Sequence, residues 1–201
     1  MHQSKALKEG ELFFRQWLRS PKSMGSIIPS SRYLARAMSE VVHWEPGQHI
    51  VELGGGTGAI TQGLIERGIP RDKLVVIELE RALYEHLRQR LPGTTVIQGD
   101  ATKLDHILEQ LGVTSVGTVI SGLPMVGMPF PFQRAVIDQG FKVMRRGAFM
   151  LQYSYSPVSP VPARRLGIRA ELIRWVPLNF PPAAVWRYRR VADFVHAAPS
   201  R

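Results

Sequence analysis

Between residues 49 and 154, short apolar runs alternate with segments of helical periodicity, and this alternation constrains the fold more than any other feature. Runs such as HIVEL (49–53) and KLVVIEL (73–79) are typical of buried strands, and each precedes a segment in which apolar residues recur every three or four positions. Strands that alternate with helices pair in parallel and are covered by those helices. The sequence therefore predicts an α/β fold built on a mostly parallel sheet.

The end of the chain departs from this alternation. Residues 169–177 and 184–196 are both strand-like, and the turn-forming LNFPPA (178–183) joins them without a helix. We therefore predict that these two strands form an antiparallel pair at the edge of the sheet.

The start of the chain is helical in pattern. Residues 5–19 and 32–43 can each form a helix, and Ser30 or Ser31 is a suitable N-cap for the second one. The predicted apolar face of the second helix consists of Tyr33, Leu34, Ala37, Met38, Val41 and Val42.

Length and composition indicate one domain. A chain of 201 residues, of which 44% are hydrophobic, can bury one substantial core. We predict a single domain in which residues 1–45 form an N-terminal helical cap and residues 46–201 form the α/β core. The absence of cysteine excludes disulfides and thiolate chemistry, and the six histidines are scattered, so we predict no metal site.

Basic residues outnumber acidic ones. The chain has 26 Lys and Arg against 16 Asp and Glu, a formal net charge of +10, and such a protein is attracted to polyanions. Nucleic acid and anionic lipid headgroups are both polyanions, so charge leaves both open. No apolar run approaches the roughly 20 residues needed to span a bilayer, and no signal-peptide core is seen at the N-terminus, so we predict a cytosolic or peripheral protein.

The stretch VELGGGTGAI stands where a strand passes into a helix. Gly54, Gly56 and Gly58 would let the backbone approach a ligand and present amide hydrogens at the start of the helix. This pattern alone does not choose the ligand, because the same glycines with Ala59 also satisfy the dinucleotide fingerprint.

Three acids distinguish between the possible cofactors. Glu78 lies about 20 residues after the glycines, where an acid would bind a ribose. Glu52 would repel a pyrophosphate but attract the ammonium of a methionine moiety. Asp100 ends the third predicted strand and could accept a hydrogen bond from an adenine amino group, beside the backbone amide of Ala101. Acids at the ends of three successive strands suit a ligand that crosses the carboxyl edge of the sheet, so we predict S-adenosylmethionine as the cofactor.

Each of these residues also has a purely structural interpretation. The glycines could serve only the turn, Glu78 could pair with Arg81, and Asp100 could cap the helix that follows it. The three acids taken together favour the cofactor site over these alternatives.

Five stretches of the chain have the pattern of a known family. They are FFRQWLRSPKSMGSIIPSSRYLARAM (13–38), VELGGGTGAIT, SGLPM, QYSYSPVSPVP and NFPPAAVWRYRR. With these stretches the chain resembles the class I S-adenosylmethionine-dependent methyltransferases and, more narrowly, the bacterial phospholipid N-methyltransferases, which convert phosphatidylethanolamine stepwise to phosphatidylcholine. The resemblance implies a Rossmann-like fold with a seven-stranded, mostly parallel sheet, an antiparallel edge strand, helices on both faces and an N-terminal helical extension.

The resemblance also implies which residues contact the cofactor. The stretch SMGSI (23–27) matches the segment that closes over the methionine end in such enzymes. The implied cofactor contacts are Gly25, Ser26, Ile27, Glu52, Gly54, Gly56, Gly58, Glu78, Leu79, Asp100, Ala101 and Ser121.

The turn SGLPM bears on the methyl acceptor. The related rRNA adenine dimethyltransferases have Asn, an apolar residue, Pro and an aromatic residue where this chain has Ser121, Leu123, Pro124 and Met125. Serine has only a hydroxyl group, and methionine lacks the π face that stacks on a base. The resemblance therefore implies that Ser121 and Leu123 belong to a catalytic turn that keeps backbone carbonyls beside the methyl donor. We predict a small amine as acceptor and no nucleic acid partner, with an RNA-modifying enzyme as the alternative.

Two tyrosines are further catalytic candidates. Tyr153 and Tyr155 follow the strand that should lie beside the one ending at Ile120. Their hydroxyls could handle the proton of the amine, and their rings could attract a methylated cation. The alternative is that one ring is buried and the other lies on the loop surface.

The N-terminal helix bears on the location of the protein. Its apolar residues Leu7, Phe14, Trp17 and Leu18 gather on one side, and its basic residues Lys5, Lys8, Arg15, Arg19 and Lys22 form a separate stripe. This is the pattern of a helix that lies in an anionic membrane surface, although a lid over the catalytic domain would share it. We predict a cytoplasmic protein that is peripheral on the inner face of the cytoplasmic membrane.

Overall fold

The computed structural model of the protein describes residues 31–191. The predicted helix over 5–19 and the implied cofactor contacts Gly25, Ser26 and Ile27 lie outside the described residues. Within residues 31–191, no helix is long and apolar enough to cross a membrane.

The described part of the chain contains one seven-stranded sheet, with its strands in the order β3-β2-β1-β4-β5-β7-β6. The strands are β1 (His49–Leu53), β2 (Leu74–Glu78), β3 (Thr95–Gln98), β4 (Val116–Ser121), β5 (Met144–Ser154), β6 (Ile168–Val176) and β7 (Ala183–Arg190). Strands β1 to β5 run parallel, whereas β7 is antiparallel to both of its neighbours, β5 and β6. The predicted sheet with an antiparallel pair at its edge is confirmed, and the structure adds that β6 is the outermost strand.

Helices cover both faces of this sheet. They are α1 (Arg32–Val41), α2 (Ala59–Glu66), α3 (Arg81–Arg90), α4 (Leu104–Gln110) and α5 (Phe130–Val143). Side chains of α1 and α2 share one apolar core with alternate residues of the strands, and those of α4 and α5 share a second core on the opposite face. Strands β2 and β4 are buried along their whole length, which is why they are continuous apolar runs in the sequence.

Helix α1 begins at the predicted N-cap, but the residues that it buries differ slightly from the predicted apolar face. Ser31 is its N-cap, and the Ser31 hydroxyl accepts a hydrogen bond from the Leu34 amide at 3.3 Å. Tyr33 is exposed rather than part of the buried face, and Ala35 is buried in addition to the predicted residues. The apolar face is therefore rotated slightly from the predicted one.

The strand order reverses between β1 and β4. After β3 the chain returns to the other side of β1, so the segments that follow β1 and β4 leave the sheet in opposite directions. Ligands in open α/β sheets bind at such a reversal, beyond the carboxyl ends of the strands. The Gly122 amide donates to the Leu53 carbonyl oxygen at 2.8 Å, which holds the two segments together at this point.

Candidate active site

The glycine-rich turn joins the end of β1 to the start of α2. Gly54, Gly56 and Gly58 have φ values of +74°, +54° and +79°, which residues with side chains rarely adopt. Gly58 is the left-handed N-cap of α2. A Cβ atom built on Gly56 would meet no atom within 4 Å, so the turn borders open space there, as backbone that receives a ligand must.

Gly55 has a packing role that the sequence pattern did not assign to it. A Cβ atom at this position would lie 2.4 Å from Val76 Cγ1 and 3.0 Å from Leu87 Cδ1. Only glycine therefore lets the turn rest on β2 and α3. The three consecutive glycines, Gly54 to Gly56, are the sequence feature that could have indicated this packing role.

The Glu78 carboxylate lies at the end of β2 and supports the glycine turn. Its Oε2 accepts a hydrogen bond from the Gly56 amide at 3.0 Å, and its Oε1 accepts one from the Glu80 amide at 3.1 Å. Burial raises the pKa of the Glu78 carboxyl group, and these backbone hydrogen bonds oppose the shift. The alternative pairing with Arg81 is wrong, because the Arg81 guanidinium binds Glu85 at 2.9 Å.

Asp100 follows β3 and has the capping role proposed as its structural alternative. Its Oδ1 accepts a hydrogen bond from the Thr102 amide at 2.8 Å and caps the short 3₁₀ helix Ala101–Lys103. A carboxylate offers about four acceptor sites, so this cap leaves Asp100 able to bind a ligand as well.

A cleft lies at the carboxyl edge of the sheet beside these groups. Its lining residues are Gly54, Ile77, Leu79, Asp100, Ala101, Leu123 and Phe132. Five of them are predicted site residues, whereas Ile77 and Phe132 are additions that supply apolar walls. Apolar walls next to one carboxylate suit a flat ring that carries an amino group, so the chemistry of these lining residues matches the adenosyl part of S-adenosylmethionine.

Glu52 lies deeper than the cleft. Its carboxyl group is buried and accepts a hydrogen bond from the Thr61 hydroxyl. The pKa of Glu52 is raised to about 8, chiefly by burial and also by the nearby Glu78 carboxylate, while the hydrogen bond from Thr61 opposes this shift. Its predicted contact with the methionine ammonium stays a prediction.

We expect Glu52 to make stability depend on pH. Because its folded pKa of about 8 exceeds the ordinary 4.5, the folded state holds a proton that the unfolded state has lost, and stability falls as pH rises from about 4.5 to 8. Glu52→Gln should remove this dependence, which is on the order of a few kcal/mol. Thermal unfolding of both proteins from pH 5 to 8.5 without cofactor measures it. The exposed Glu66→Gln variant is the control, and equal slopes for parent and Glu52→Gln would contradict the prediction.

The turn after β4 packs directly on the glycine turn. A Cβ atom at Gly122 would lie 2.6 Å from the Gly54 carbonyl oxygen, and one at Gly54 would lie 2.8 Å from Leu123 Cδ2. Gly122 therefore cannot carry a side chain while the two turns keep this contact, whereas a side chain at Gly54 would have to displace that of Leu123. The sequence pattern singled out Gly54 but not Gly122.

Ser121 and Leu123 are held by bonds within the protein. The Ser121 hydroxyl accepts a hydrogen bond from the Leu123 amide at 3.3 Å, and Ser121 is fully buried. The Leu123 carbonyl oxygen, predicted to face the methyl donor, accepts bonds from Gln152 Nε2 at 3.0 Å and from the Met125 amide at 2.8 Å. Two donors already occupy this oxygen, and Leu123 also lines the cleft. The catalytic role of Ser121 and Leu123 stays a prediction.

Two glutamines that sequence reasoning missed fix this turn. Gln152 is buried on β5, paired in register with Ser121, and binds the Leu123 carbonyl. Gln133 on α5 donates from Nε2 to the Met125 carbonyl oxygen at 2.7 Å. The sequence signal for Gln152 was a single amide directly after the apolar run AFML (148–151).

The two tyrosines lie near the end of β5. Their ring centroids are 6.0 Å apart and the rings meet edge to face at 68°. Tyr153 is half-buried and packs in the core of α1 and α2, on the opposite side of the sheet from Leu123, whereas Tyr155 is 36% exposed and otherwise covered by the protein. Burial also raises the pKa of Tyr155, so its hydroxyl stays protonated at neutral pH. The role of the two tyrosines in proton transfer or in binding the amine stays a prediction.

The fold and the site together define the class of this enzyme. The fold is shared with TrmN from Thermus thermophilus, with a TM-score of 0.65 and 15% identity over 83% of this chain and 51% of that chain. It is also shared with Aeropyrum pernix fibrillarin, solved with natively bound S-adenosyl-L-methionine, with a TM-score of 0.57 and 16% identity over 79% and 76% of the two chains. Residues 11–144 match a methyltransferase family, and relatives named as methyltransferases cover most of this chain. Together with the glycine turn, this match makes the protein an S-adenosylmethionine-dependent methyltransferase.

Residues 11–144 match the family described as ribosomal RNA adenine dimethylase, and the chain belongs to this family. An ornithine lipid N-methyltransferase of Singulisphaera acidiphila is 28% identical over 93% of this chain and 99% of its own length. A ribosomal RNA small subunit methyltransferase A of Leptothrix cholodnii is 30% identical over 81% of this chain and 69% of its own length. Relatives named for a lipid and for RNA both resemble the chain, so family membership leaves the acceptor open.

Proposed function

We propose that the protein is a lipid N-methyltransferase that methylates the primary amine of phosphatidylethanolamine, and then its mono- and dimethyl forms, toward phosphatidylcholine. The observation that carries this proposal is the contact between Gly122 and Gly54. It leaves no room for a side chain at position 122, so the turn beside the cleft can offer a base no side-chain contact from there.

The other residues of the turn are also unable to recognise a base. Ser121 is fully buried, and its hydroxyl is used within the turn. Met125 is 1% exposed, so it packs in the core and offers no surface on which a base could stack. Stacking on an aromatic ring is worth roughly 1–3 kcal/mol per base. An acceptor with a small amine loses nothing at such a turn, whereas an adenine loses both of its usual contacts.

A buried amide oxygen near the turn suits an ammonium donor. Gln152 Nε2 donates to the carbonyl oxygens of Leu123 and Tyr153, at 3.0 and 2.9 Å, which fixes the orientation of the amide. In the described part of the chain, Gln152 Oε1 is buried without a hydrogen-bond partner. An unpaired buried acceptor is costly, and the ammonium of a substrate would satisfy it.

Methyl transfer requires the protein mainly to align the amine nitrogen, the methyl group and the sulfur. S-adenosylmethionine, when bound, supplies a methyl group on a sulfonium, which the amine nitrogen takes up as the carbon–sulfur bond breaks. The amine must first lose a proton, which passes to solvent water. With its raised pKa, Tyr155 serves in this proposal as a neutral hydrogen-bonding group and a ring for the methylated cation, and not as a base.

The length of the lipid-modifying relative supports this proposal. The named ornithine lipid N-methyltransferase of Singulisphaera acidiphila corresponds to this chain over 99% of its length. An ornithine headgroup and an ethanolamine headgroup both present a primary amine, so the same site chemistry serves either. In this proposal the protein is cytoplasmic and peripheral, with its basic N-terminal segment on the anionic inner face of the membrane.

Methylation of adenine in RNA is the second candidate. It is favoured by membership of the rRNA adenine dimethylase family and by the net charge of +10. The buried Met125 and the side-chain-free position 122 count against it.

The deciding experiment offers the enzyme each acceptor with radiolabelled S-adenosylmethionine. Separate reactions contain vesicles with phosphatidylethanolamine, vesicles with ornithine lipid, and protein-free small-subunit ribosomal RNA. We expect label in phosphatidylethanolamine. Label only in ornithine lipid would support a lipid acceptor but with a different headgroup from the proposed one. Label only in RNA would overturn the proposal.

We expect the Tyr155 hydroxyl to position the amine. Tyr155→Phe keeps the ring and deletes one hydrogen bond to a charged group, worth roughly 1.5–3 kcal/mol, so turnover should fall about 10- to 100-fold with cofactor affinity unchanged. Tyr188→Phe is the matched control, because that buried hydroxyl lies 3.4 Å from the Ser159 hydroxyl. Full turnover of both Tyr155→Phe and Tyr153→Phe would rule out an essential hydroxyl.

A further inference from the structure

Three neighbouring loops expose apolar side chains at the edge of the sheet that carries the cleft. They are residues 122–129 after β4, residues 155–163 after β5 and residues 177–182 between β6 and β7, and we call them the loop face. Strands β4, β5 and β6 run in the same direction, so all three loops lie beyond the carboxyl edge. The exposed fractions are 61% for Val126, 69% for Val158, 70% for Leu178 and 83% for Phe180.

The composition of the loop face is unusual for a surface in water. The loop face has 23 residues, of which eight are proline and none is charged, although the whole protein has 42 charged residues. Proline has no amide hydrogen, so these loops carry few backbone donors that would lose water on entering an apolar layer. Both features lower the cost of placing the loops in a membrane interface.

The loop face is connected to the predicted membrane-binding segment. The Ser31 hydroxyl lies 2.6 Å from Asn179 Oδ1, and the Ser31 amide donates to the same oxygen at 3.3 Å. The chain before Ser31 contains five Lys and Arg against two Glu. Basic residues that flank an uncharged apolar surface match an anionic bilayer, in which headgroups surround an apolar layer.

We propose that the loop face is a membrane-docking surface, with the side chains of Leu178 and Phe180 inserted into the interface of an anionic bilayer and the cleft facing the lipids. This inference rests on the proposed lipid substrate, because a headgroup anchored by its acyl chains can enter the cleft only from the bilayer side. It adds, to the membrane attachment predicted from the sequence of residues 5–19, a second attachment that salt does not screen and that the catalytic core itself makes.

The test is the double variant Leu178→Ser/Phe180→Ser in the full chain. We expect its partition onto vesicles of phosphatidylethanolamine and phosphatidylglycerol to fall about tenfold at both 0.1 and 0.5 M salt, because apolar insertion is not screened. Methylation of lipid in vesicles should fall in parallel, whereas methylation of a short-chain, monomeric phosphatidylethanolamine should not change. Val191→Ser is the matched control, since Val191 is half-exposed and follows β7 at the opposite edge.

Three outcomes would overturn the docking surface. Equal vesicle partition of parent and double variant would show that the loops do not insert. A change in sedimentation without vesicles would identify a second copy of the chain as the occupant, and a loss of thermal stability or cofactor affinity would identify the N-terminal segment of the same chain. The proposed function fails separately, by the absence of label in every lipid, whatever the vesicle binding shows.

Discussion

Gly122→Ala should lower methyl transfer by about 100-fold or more. The added Cβ would lie 2.6 Å from the Gly54 carbonyl oxygen, and both backbones are held, Gly122 by the Leu53 carbonyl and Gly54 by the Ile77 carbonyl, at 2.8 Å each. The clash is between backbone and Cβ, so no side chain can swing away and the two turns must separate. A displacement of about 1 Å between reacting groups can cost 100-fold in rate, and overpacking of this kind typically costs about 1–3 kcal/mol of stability.

Gly140→Ala is the matched control for this substitution. Gly140 lies in the last turn of α5, and its Cβ would lie 3.1 Å from the Met150 sulfur, which belongs to a flexible side chain. Turnover, cofactor affinity and thermal unfolding are measured for both variants. If Gly122→Ala turned over lipid at the parental rate with unchanged cofactor affinity, the contact between the turns would have no part in the site.

Glu78→Gln should weaken S-adenosylmethionine binding by about 10- to 100-fold. The substitution removes a charge-assisted hydrogen bond to the ligand, which is typically worth roughly 1.5–3 kcal/mol. The glutamine side chain also places an NH₂ group where a carboxylate oxygen of Glu78 now accepts a bond from the backbone amide of Gly56 or Glu80. Because burial raises the pKa of Glu78, removal of its charge does not by itself unfold the protein. Affinity should therefore fall more than stability does.

Calorimetric titration with S-adenosylmethionine beside thermal unfolding separates these two quantities. Glu85→Gln is the control, because that exposed acid lies on the next helix and only pairs with Arg81. An unchanged dissociation constant for Glu78→Gln would mean that this carboxylate serves the glycine turn and not the ligand.

The sequence by itself determined the order of elements and the cofactor end of the site. Strand and helix periodicities depend on neighbours two to four residues apart, so β1 to β5 and the antiparallel pair could be predicted from local pattern. The positions Gly54, Gly56, Gly58, Glu78 and Asp100 could be predicted for the same reason, since each follows or ends a recognisable strand and carboxyl ends of parallel strands share one edge.

Only the tertiary structure decided how the turn after β4 packs on the glycine turn and which of its groups are buried or hydrogen-bonded. The Gly54–Gly122 contact joins residues 68 positions apart, and the bond from Gln152 to Leu123 depends on the register of β5 against β4. A slip of one residue would turn Gln152 to the other face of the sheet and Tyr153 toward the cleft. Neither the burial of Met125 nor the engagement of the Leu123 carbonyl has a local signature, because both follow from which strands become neighbours.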